Sequence, residues 1–144
     1  MIALDTNFLV HAHRMDSPHH ARAYAQALAL MQGHGAWGIP NPCISEFLNI
    51  VTHPKIYQQP TPVSQALAQI DAWLESPSGS ILHSGLRFWP TLKEIAAQGQ
   101  LRGGQYHDAR IAAVCIENSV TQLWTVDRDF SRYPQLKILN PLGN

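Results

Sequence analysis

The sequence has few charged residues and no excess of either sign. Lys and Arg total 10 and Asp and Glu total 10 in 144 residues, so the formal net charge is zero. The charged fraction of 14% and the apolar fraction of 45% argue against disorder. The neutral balance lacks the basic excess that is typical of nucleic-acid-binding proteins, so any such function must depend on local charge.

Cysteine is scarce, and long apolar runs are missing. Cys43 and Cys115 form no CxxC pair, which argues against a disulfide framework and against a zinc site made of thiolates. No apolar run approaches the roughly 20 residues that a membrane span needs. The first residues carry no basic region or cleavage signal of a secreted protein. We therefore expect a soluble cytoplasmic protein with no membrane contact and a single domain over residues 1–144.

Short apolar runs alternate with helical patterns along the chain. Five strands are predicted, over residues 2–4, 37–40, 80–84, 123–126 and 137–139. One helix is predicted to begin at Ser17-Pro18, another at Ile44, and the clearest helical pattern covers 106–118. Strands that alternate with helices are typical of the α/β class, with a parallel sheet covered by helices on both faces.

Two carboxylates directly follow predicted strands. Asp5 comes after the first strand and Asp127 after the fourth. The carboxyl ends of parallel strands share one edge of the sheet, and open α/β sheets bind their ligands at that edge. If the two strands are neighbours, they are about 5 Å apart. Each acid also has a simpler interpretation, as the cap of the helix or turn that follows it.

Two further carboxylates lie on helical stripes that carry apolar residues. Asp108 is three residues before Ile111, and Glu46 is four residues before Ile50. A carboxylate on a buried stripe is costly unless it is paired or binds a metal. One or two Mg²⁺ or Mn²⁺ ions would relieve the repulsion among four converging acids, because hard cations choose oxygen ligands. The alternative is that Asp108 and Glu46 are early-helix acids favoured by the helix dipole.

Four motifs carry a family resemblance, in this order: Asp5-Thr6-Asn7-Phe8-Leu9-Val10, Ser45-Glu46-Phe47, His107-Asp108-Ala109 and Thr125-Val126-Asp127-Arg128-Asp129-Phe130. Each is similar to a PIN-domain signature, and the whole chain resembles a VapC-type toxin of a type II toxin–antitoxin pair. The resemblance implies a three-layer α/β/α fold with a parallel sheet ordered 3-2-1-4-5. It implies an acidic pocket of Asp5, Glu46, Asp108 and Asp127.

The resemblance also implies a function. A chain of this kind would be a metal-dependent endoribonuclease that cleaves RNA and inhibits translation. Its partners would be a cognate antitoxin and, in a homodimer, a second copy of the chain.

Other polar residues near the four acids are candidates for supporting roles. Asp129 is a turn former or an outer metal ligand, and Asn7 and Thr125 are candidates for orienting ligands or waters by hydrogen bonds. Arginine binds phosphate through two parallel hydrogen bonds. Three arginines are therefore candidates for RNA phosphate contacts, with a solvated surface position as the alternative for each: Arg14, Arg110 and Arg128.

Two other functions stay open at this point. One is a phosphatase or phosphotransferase that uses Asp5 as its nucleophile, a role that needs an activating environment. Asn7 stands where such an enzyme often has a second acid. The other is a PIN-like binding module without catalysis.

Overall fold

A five-stranded parallel sheet runs through the centre of the molecule. The computed structural model describes residues 1–143, so Asn144 of the predicted domain 1–144 lies outside the described residues. The strands follow the order β3-β2-β1-β4-β5, which confirms the predicted sheet. They are β1 (Ile2–Leu4), β2 (Trp37–Pro40), β3 (Gly79–Leu82), β4 (Gln122–Trp124) and β5 (Lys137–Leu139).

Helices cover both faces of this sheet. Ala3 and Leu4 are neighbours on β1 and point to opposite faces, and neither is exposed. The helices are α1 (Thr6–His13), α2 (His20–Gln32), α3 (Asn41–Val51), α4 (Val63–Leu74), α5 (Phe88–Gly99) and α6 (Gln105–Glu117), and a short 3₁₀ helix spans Arg128–Arg132. The predicted three-layer α/β/α class is therefore confirmed. Within residues 1–143, no helix combines the length and the apolar character that crossing a membrane requires.

The predicted starts of two helices are wrong by about three residues. Helix α2 begins at His20 because Ser17 closes a separate turn, in which the His20 N–H donates to the Ser17 carbonyl. The Ser17 hydroxyl is bonded to the His11 ring at 2.6 Å and accepts the His19 N–H. Helix α3 begins at Asn41, before the predicted start at Ile44. Pro42 is tolerated in the first helical turn because the N–H groups of that turn have no partner within the helix.

The fourth strand also ends earlier than predicted, at Trp124 and not at Val126. The Val126 N–H donates to the Asn7 side chain, and the Asp127 N–H donates to the Thr125 hydroxyl. The Thr125 N–H still donates to the Leu139 carbonyl of β5, so side chains replace the neighbouring strand as hydrogen-bond partners only after Thr125. As a result, Asp127 lies three residues beyond the strand, at the start of the 3₁₀ helix.

The packing between β2 and β3 depends on a glycine. Trp37 is fully buried, and its ring occupies the space in which a side chain of residue 79 would lie. The indole N–H of Trp37 donates to the Ser76 hydroxyl at 3.1 Å, which holds the ring in place. Gly79 therefore allows the ring to lie directly against the backbone of β3.

Candidate metal centre

Asp5 lies between β1 and α1, at the carboxyl edge of the sheet. Strand β1 is paired with β4 in register, with Ala3 opposite Leu123, so Asp5 faces the segment that follows β4. The Asp5 side chain is only 4% exposed. Its Oδ1 accepts the Thr6 N–H at 2.8 Å, so Asp5 also caps α1, as its simpler interpretation predicts.

The second oxygen of Asp5 is held from the opposite side. Its Oδ2 accepts the hydroxyl of Thr125 at 2.6 Å, and the thiol of Cys43 lies 3.6 Å from Oδ1. Burial raises the pKa of Asp5 above its ordinary value, and the charge of Glu46 raises this pKa further. The hydrogen bonds to Asp5 lower the pKa in part, and the bond from Thr125 has the largest effect among them. Each carboxylate oxygen has more than one acceptor position, so Asp5 keeps the capacity to bind a cation.

Three carboxylates form a tight group beside Asp5. Asp108 lies in the first turn of α6, Asp127 caps the 3₁₀ helix, and Asp129 lies in its first turn. One oxygen from each lies within 4.8 Å of the others. The Asp127 Oδ1 also accepts the Asp129 N–H at 2.9 Å, which fixes the two residues relative to each other.

The electrostatics of Asp108 connect all five acids. Its pKa is raised from 3.8 to about 6, first by burial and then by the charge of Asp127. The charges of Asp5, Asp129 and Glu46 raise it further, in that order. The structure therefore brings Asp108, Asp127 and Asp129 together, whereas Asp5 and Glu46 lie outside this group and act on Asp108 through their charge.

Glu46 is held by two residues, one of which the sequence did not single out. The Thr6 hydroxyl donates to Glu46 Oε2 at 2.8 Å, and an Arg110 nitrogen lies 3.8 Å from Glu46 Oε1. Thr6 thus connects two acids, because its N–H binds Asp5 and its hydroxyl binds Glu46. The sequence offers one weak signal for this role, a hydroxyl residue directly after Asp5, the acid that follows β1.

Asn7 and Thr125 join the first helix to the segment after β4. The Asn7 amide donates to the Thr125 hydroxyl oxygen at 3.4 Å, and its Oδ1 accepts the Val126 N–H at 3.3 Å. Thr125 is 1% exposed and donates to Asp5. Both residues therefore lie in the hydrogen-bond network that positions Asp5.

The three candidate arginines lie in different surroundings. Arg14 follows the last turn of α1, pairs with Asp16 at 2.6 Å and covers the Tyr57 ring at 3.8 Å, so its guanidinium is engaged away from the acids. Arg110 lies at the rim of the acid group, next to Glu46. Arg128 is exposed and lines a small cavity beside Asp127.

The chemistry of this acid group fits a hard divalent cation. All three grouped donors are carboxylate oxygens, the ligands that Mg²⁺ and Mn²⁺ prefer, and both ions keep several waters when a few carboxylates bind them. The grouped donors come from two segments that are distant in sequence, α6 and the 3₁₀ helix, while Asp5 at the end of β1 and Glu46 on α3 lie outside this group of oxygens.

Comparison with known proteins identifies the family of this chain. The chain matches the PIN domain family over residues 2–136. It belongs to this family. This PIN domain is 32% identical over 142 residues to ribonuclease VapC43 of Mycobacterium tuberculosis, covering 99% of this chain and 96% of the relative. It is 30% identical over 142 residues to ribonuclease VapC33 of the same species, covering 99% of each.

Solved structures show the same fold. VapBC2 from Rickettsia felis, bound to a DNA fragment from its promoter, has a TM-score of 0.69 and 21% identity and covers 96% of this PIN domain and 98% of that chain. VapC20 of Mycobacterium tuberculosis, described as a toxin that cleaves the sarcin–ricin loop, has a TM-score of 0.65 and 18% identity. The match covers 91% of this PIN domain and 93% of that chain. The predicted resemblance to VapC-type PIN domains is therefore confirmed.

Proposed function

We propose that this PIN domain is a metal-dependent endoribonuclease toxin of the VapC type. The observation that carries the proposal is the group of carboxylates at the edge of the sheet, where Asp108, Asp127 and Asp129 place oxygens within 4.8 Å of one another. The names of the relatives, ribonucleases VapC43 and VapC33, support the choice of RNA as the substrate. We treat residues 1–144 as a single catalytic domain, and we place its activity in the cytoplasm.

Asp5, Glu46, Asp108 and Asp127 are the proposed catalytic residues, and Asp129 joins them as a ligand. They would hold one or two Mg²⁺ or Mn²⁺ ions. A bound ion of this kind supplies a water of lowered pKa and stabilises negative charge on a phosphodiester oxygen. Water is then the attacking group, so the products are expected to carry a 5′-phosphate and a 3′-hydroxyl.

The residues around the acids keep the carboxylates oriented. Thr125 and the Thr6 N–H fix both oxygens of Asp5, and the Thr6 hydroxyl fixes Glu46. Arg110, whose side chain is 49% exposed beside Glu46, is available for a substrate phosphate at the rim. Residues that orient ligands in this way typically change metal affinity or activity 10- to 100-fold when they are replaced.

The test is cleavage of a mixed RNA sample with Mg²⁺ or with EDTA. The wild type and Asp71→Asn, a matched change of an exposed acid on α4, are expected to cleave RNA with Mg²⁺ and not with EDTA. Asp127→Asn is expected to abolish cleavage. Cleavage that survives EDTA would contradict the metal dependence, and a 2′,3′-cyclic phosphate at the product ends would contradict attack by water.

The alternative functions predict different results in the same samples. An aspartyl phosphatase needs an accessible nucleophile, whereas Asp5 is 4% exposed and both of its oxygens accept hydrogen bonds. Hydrolysis of a phosphate monoester without RNA cleavage would nevertheless favour that enzyme. No hydrolysis of either substrate would favour a binding module.

A cognate antitoxin is the proposed protein partner. The structural neighbour VapBC2 supports a partner of this kind. A groove of about 430 Å³ between α1, α2 and α4 offers apolar walls from Ala12, Ala27 and Trp73, with the exposed Leu28 also lining it. An apolar helix of the antitoxin would fit this groove. Leu28→Glu is expected to weaken the complex and to leave RNA cleavage by the free toxin unchanged.

We also propose a homodimer and inhibition of translation. A dimer predicts a solution mass twice the chain's 16.0 kDa. Translation inhibition predicts that protein synthesis in a cell extract stops when the wild type is added and continues with Asp127→Asn.

A further inference from the structure

A small cavity adjoins the acid group on the side of β5. It has a volume of about 170 Å³ and lies just past the carboxyl ends of β4 and β5. Asp127 lines the cavity as well as the metal centre, while Val126 and Ile138, both half-buried, contribute apolar surface. The cavity is open to solvent and has room for several water molecules, so a single planar ring system fits into it.

Two side chains in this cavity are free to donate hydrogen bonds. Within residues 1–143, the guanidinium of Arg128 forms no ion pair or hydrogen bond with the protein. Asn140 accepts the Leu142 and Gly143 N–H groups with its Oδ1, at 3.0 and 3.1 Å, and these bonds fix the orientation of its amide. Its Nδ2 group is therefore left as a donor.

The backbone keeps this amide accessible. A Cβ atom at residue 143 would lie only 2.8 Å from the Asn140 Nδ2 atom. Because residue 143 is glycine, the amide has space beside it. Arg128 and Asn140 thus supply donors, whereas Val126 and Ile138 supply apolar contact, and all four line the same cavity.

RNA offers this cavity two kinds of group, a charged phosphate and a neutral base. The charges on the cavity wall affect the two groups differently. Asp127 and Arg128 give the cavity wall one charge of each sign, so the wall attracts a phosphate less than a purely basic site would, whereas a neutral base leaves the two charges balanced. Single-stranded RNA is recognised largely through unstacked bases, which contact apolar or arginine surfaces and are hydrogen-bonded at their edges. The cavity has both kinds of contact.

We propose that this cavity binds one unpaired base next to the cleaved phosphodiester and selects guanine through Arg128 and Asn140. Guanine presents two adjacent acceptors, O6 and N7, which match the two parallel donors of an arginine. Adenine presents one acceptor, N7, and one donor, its amino group, on the same edge. The amino group would face a donor of Arg128, so adenine fits less well. This inference rests on the proposed function, because it assigns the base specificity of the same site.

The experiment measures binding of four RNA pentamers by fluorescence anisotropy. The pentamers are uridine oligonucleotides in which the central base is G, A, C or U. All proteins carry Asp5→Asn, so that binding is measured in Mg²⁺ without cleavage, and circular dichroism verifies that each variant is folded. We expect the G pentamer to bind about tenfold or more tightly than the others, which is the discrimination of one good bidentate pair.

Changes at Arg128 distinguish base recognition from a phosphate contact. Arg128→Lys keeps the charge but donates to O6 and N7 with poorer geometry, so it is expected to reduce the preference for G, whereas Arg128→Ala has no side-chain donor and is expected to abolish it. Asn140→Ala is expected to reduce the preference. Arg87→Lys is the matched control and is expected to leave the preference unchanged. Arg87 is exposed, and its N–H donates to Glu117 at the end of α6 that is far from Asp108.

Three outcomes would overturn the inference. They are equal affinity for all four pentamers, no binding of any pentamer, and an Arg128→Ala variant that keeps the preference of the parent. An Arg128→Ala variant that weakens all four pentamers equally would instead assign Arg128 to phosphate. The proposed function is judged separately, by Mg²⁺-dependent cleavage with the wild type, so cleavage without base preference would refute only the guanine cavity.

Discussion

Removing the charge of Asp108 should make the metal-free protein more stable at neutral pH. The pKa of Asp108 is raised from 3.8 to about 6 by burial and by the surrounding carboxylates. Between these two pH values the folded protein holds a proton on Asp108 that the unfolded chain releases. Folding therefore becomes less favourable as the pH rises from about 4 to about 6, and this loss stays constant above that range. Asp108→Asn carries no charge and avoids the loss.

The magnitude follows from the pKa and from the exposure of the side chain. A rise from 3.8 to about 6 corresponds to about 3 kcal/mol if it is transmitted in full to the free energy of unfolding. Because Asp108 is partly exposed, solvent screens its interactions, and we expect a gain of about 1 kcal/mol. Within residues 1–143 the Asp108 side chain forms no hydrogen bond that the amide would lose.

The assay is urea unfolding followed by circular dichroism in EDTA, at pH 4, 5.5 and 7.5. The gain of Asp108→Asn over the wild type is expected to be smallest at pH 4 and largest at pH 7.5. Asp71→Asn, an exposed acid on α4, provides the matched control and should show no such trend. A variant that is no more stable than the wild type at pH 7.5, or equally stabilised at all three values, would refute the electrostatic reasoning. With saturating Mn²⁺, the wild type should become more stable than Asp108→Asn, because the ion adds more stability to the protein that binds it more tightly.

Three further substitutions test particular contacts. Thr6→Val removes the hydroxyl that donates to Glu46, so Mn²⁺ affinity measured by calorimetry should fall about tenfold, whereas Thr6→Ser should keep it. Tyr133→Phe removes a buried hydroxyl that has no hydrogen-bond partner among residues 1–143, so urea unfolding should show a gain of about 1 kcal/mol. Gly79→Ala places a methyl group against the Trp37 ring and should lower the free energy of unfolding by about 1–3 kcal/mol, while Ser80→Ala on the exposed side of β3 should change it little.

The strands and the place of the acids could be predicted because both depend on simple rules. Each strand is a short apolar run, and the carboxyl ends of parallel strands lie at one edge. Asp5 and the segment that holds Asp127 therefore had to share that edge once β1 and β4 were neighbours. Helix starts were less predictable, since Ser17 has the chemistry of a cap but is used by a turn and by His11.

The finer arrangement of the site could not be derived from local sequence. Whether Asp129 joins Asp127 depends on the 3₁₀ helix after β4, which no apolar pattern indicates. The contact between Thr6 and Glu46 joins residues 40 positions apart and exists because α1 packs against α3. Arg14 was a candidate phosphate contact by residue type alone, and its pairing with Asp16 depends on the conformation of the chain after α1.

The most direct test of the proposed centre is Mn²⁺ binding by calorimetry on the wild type and on Asp108→Asn/Asp127→Asn. These two acids lie on α6 and at the start of the 3₁₀ helix, and they meet only if both elements contribute to one site. We expect clear binding by the wild type and none by the double variant. Binding that survives in the double variant would place the ion elsewhere and contradict the metal centre described here.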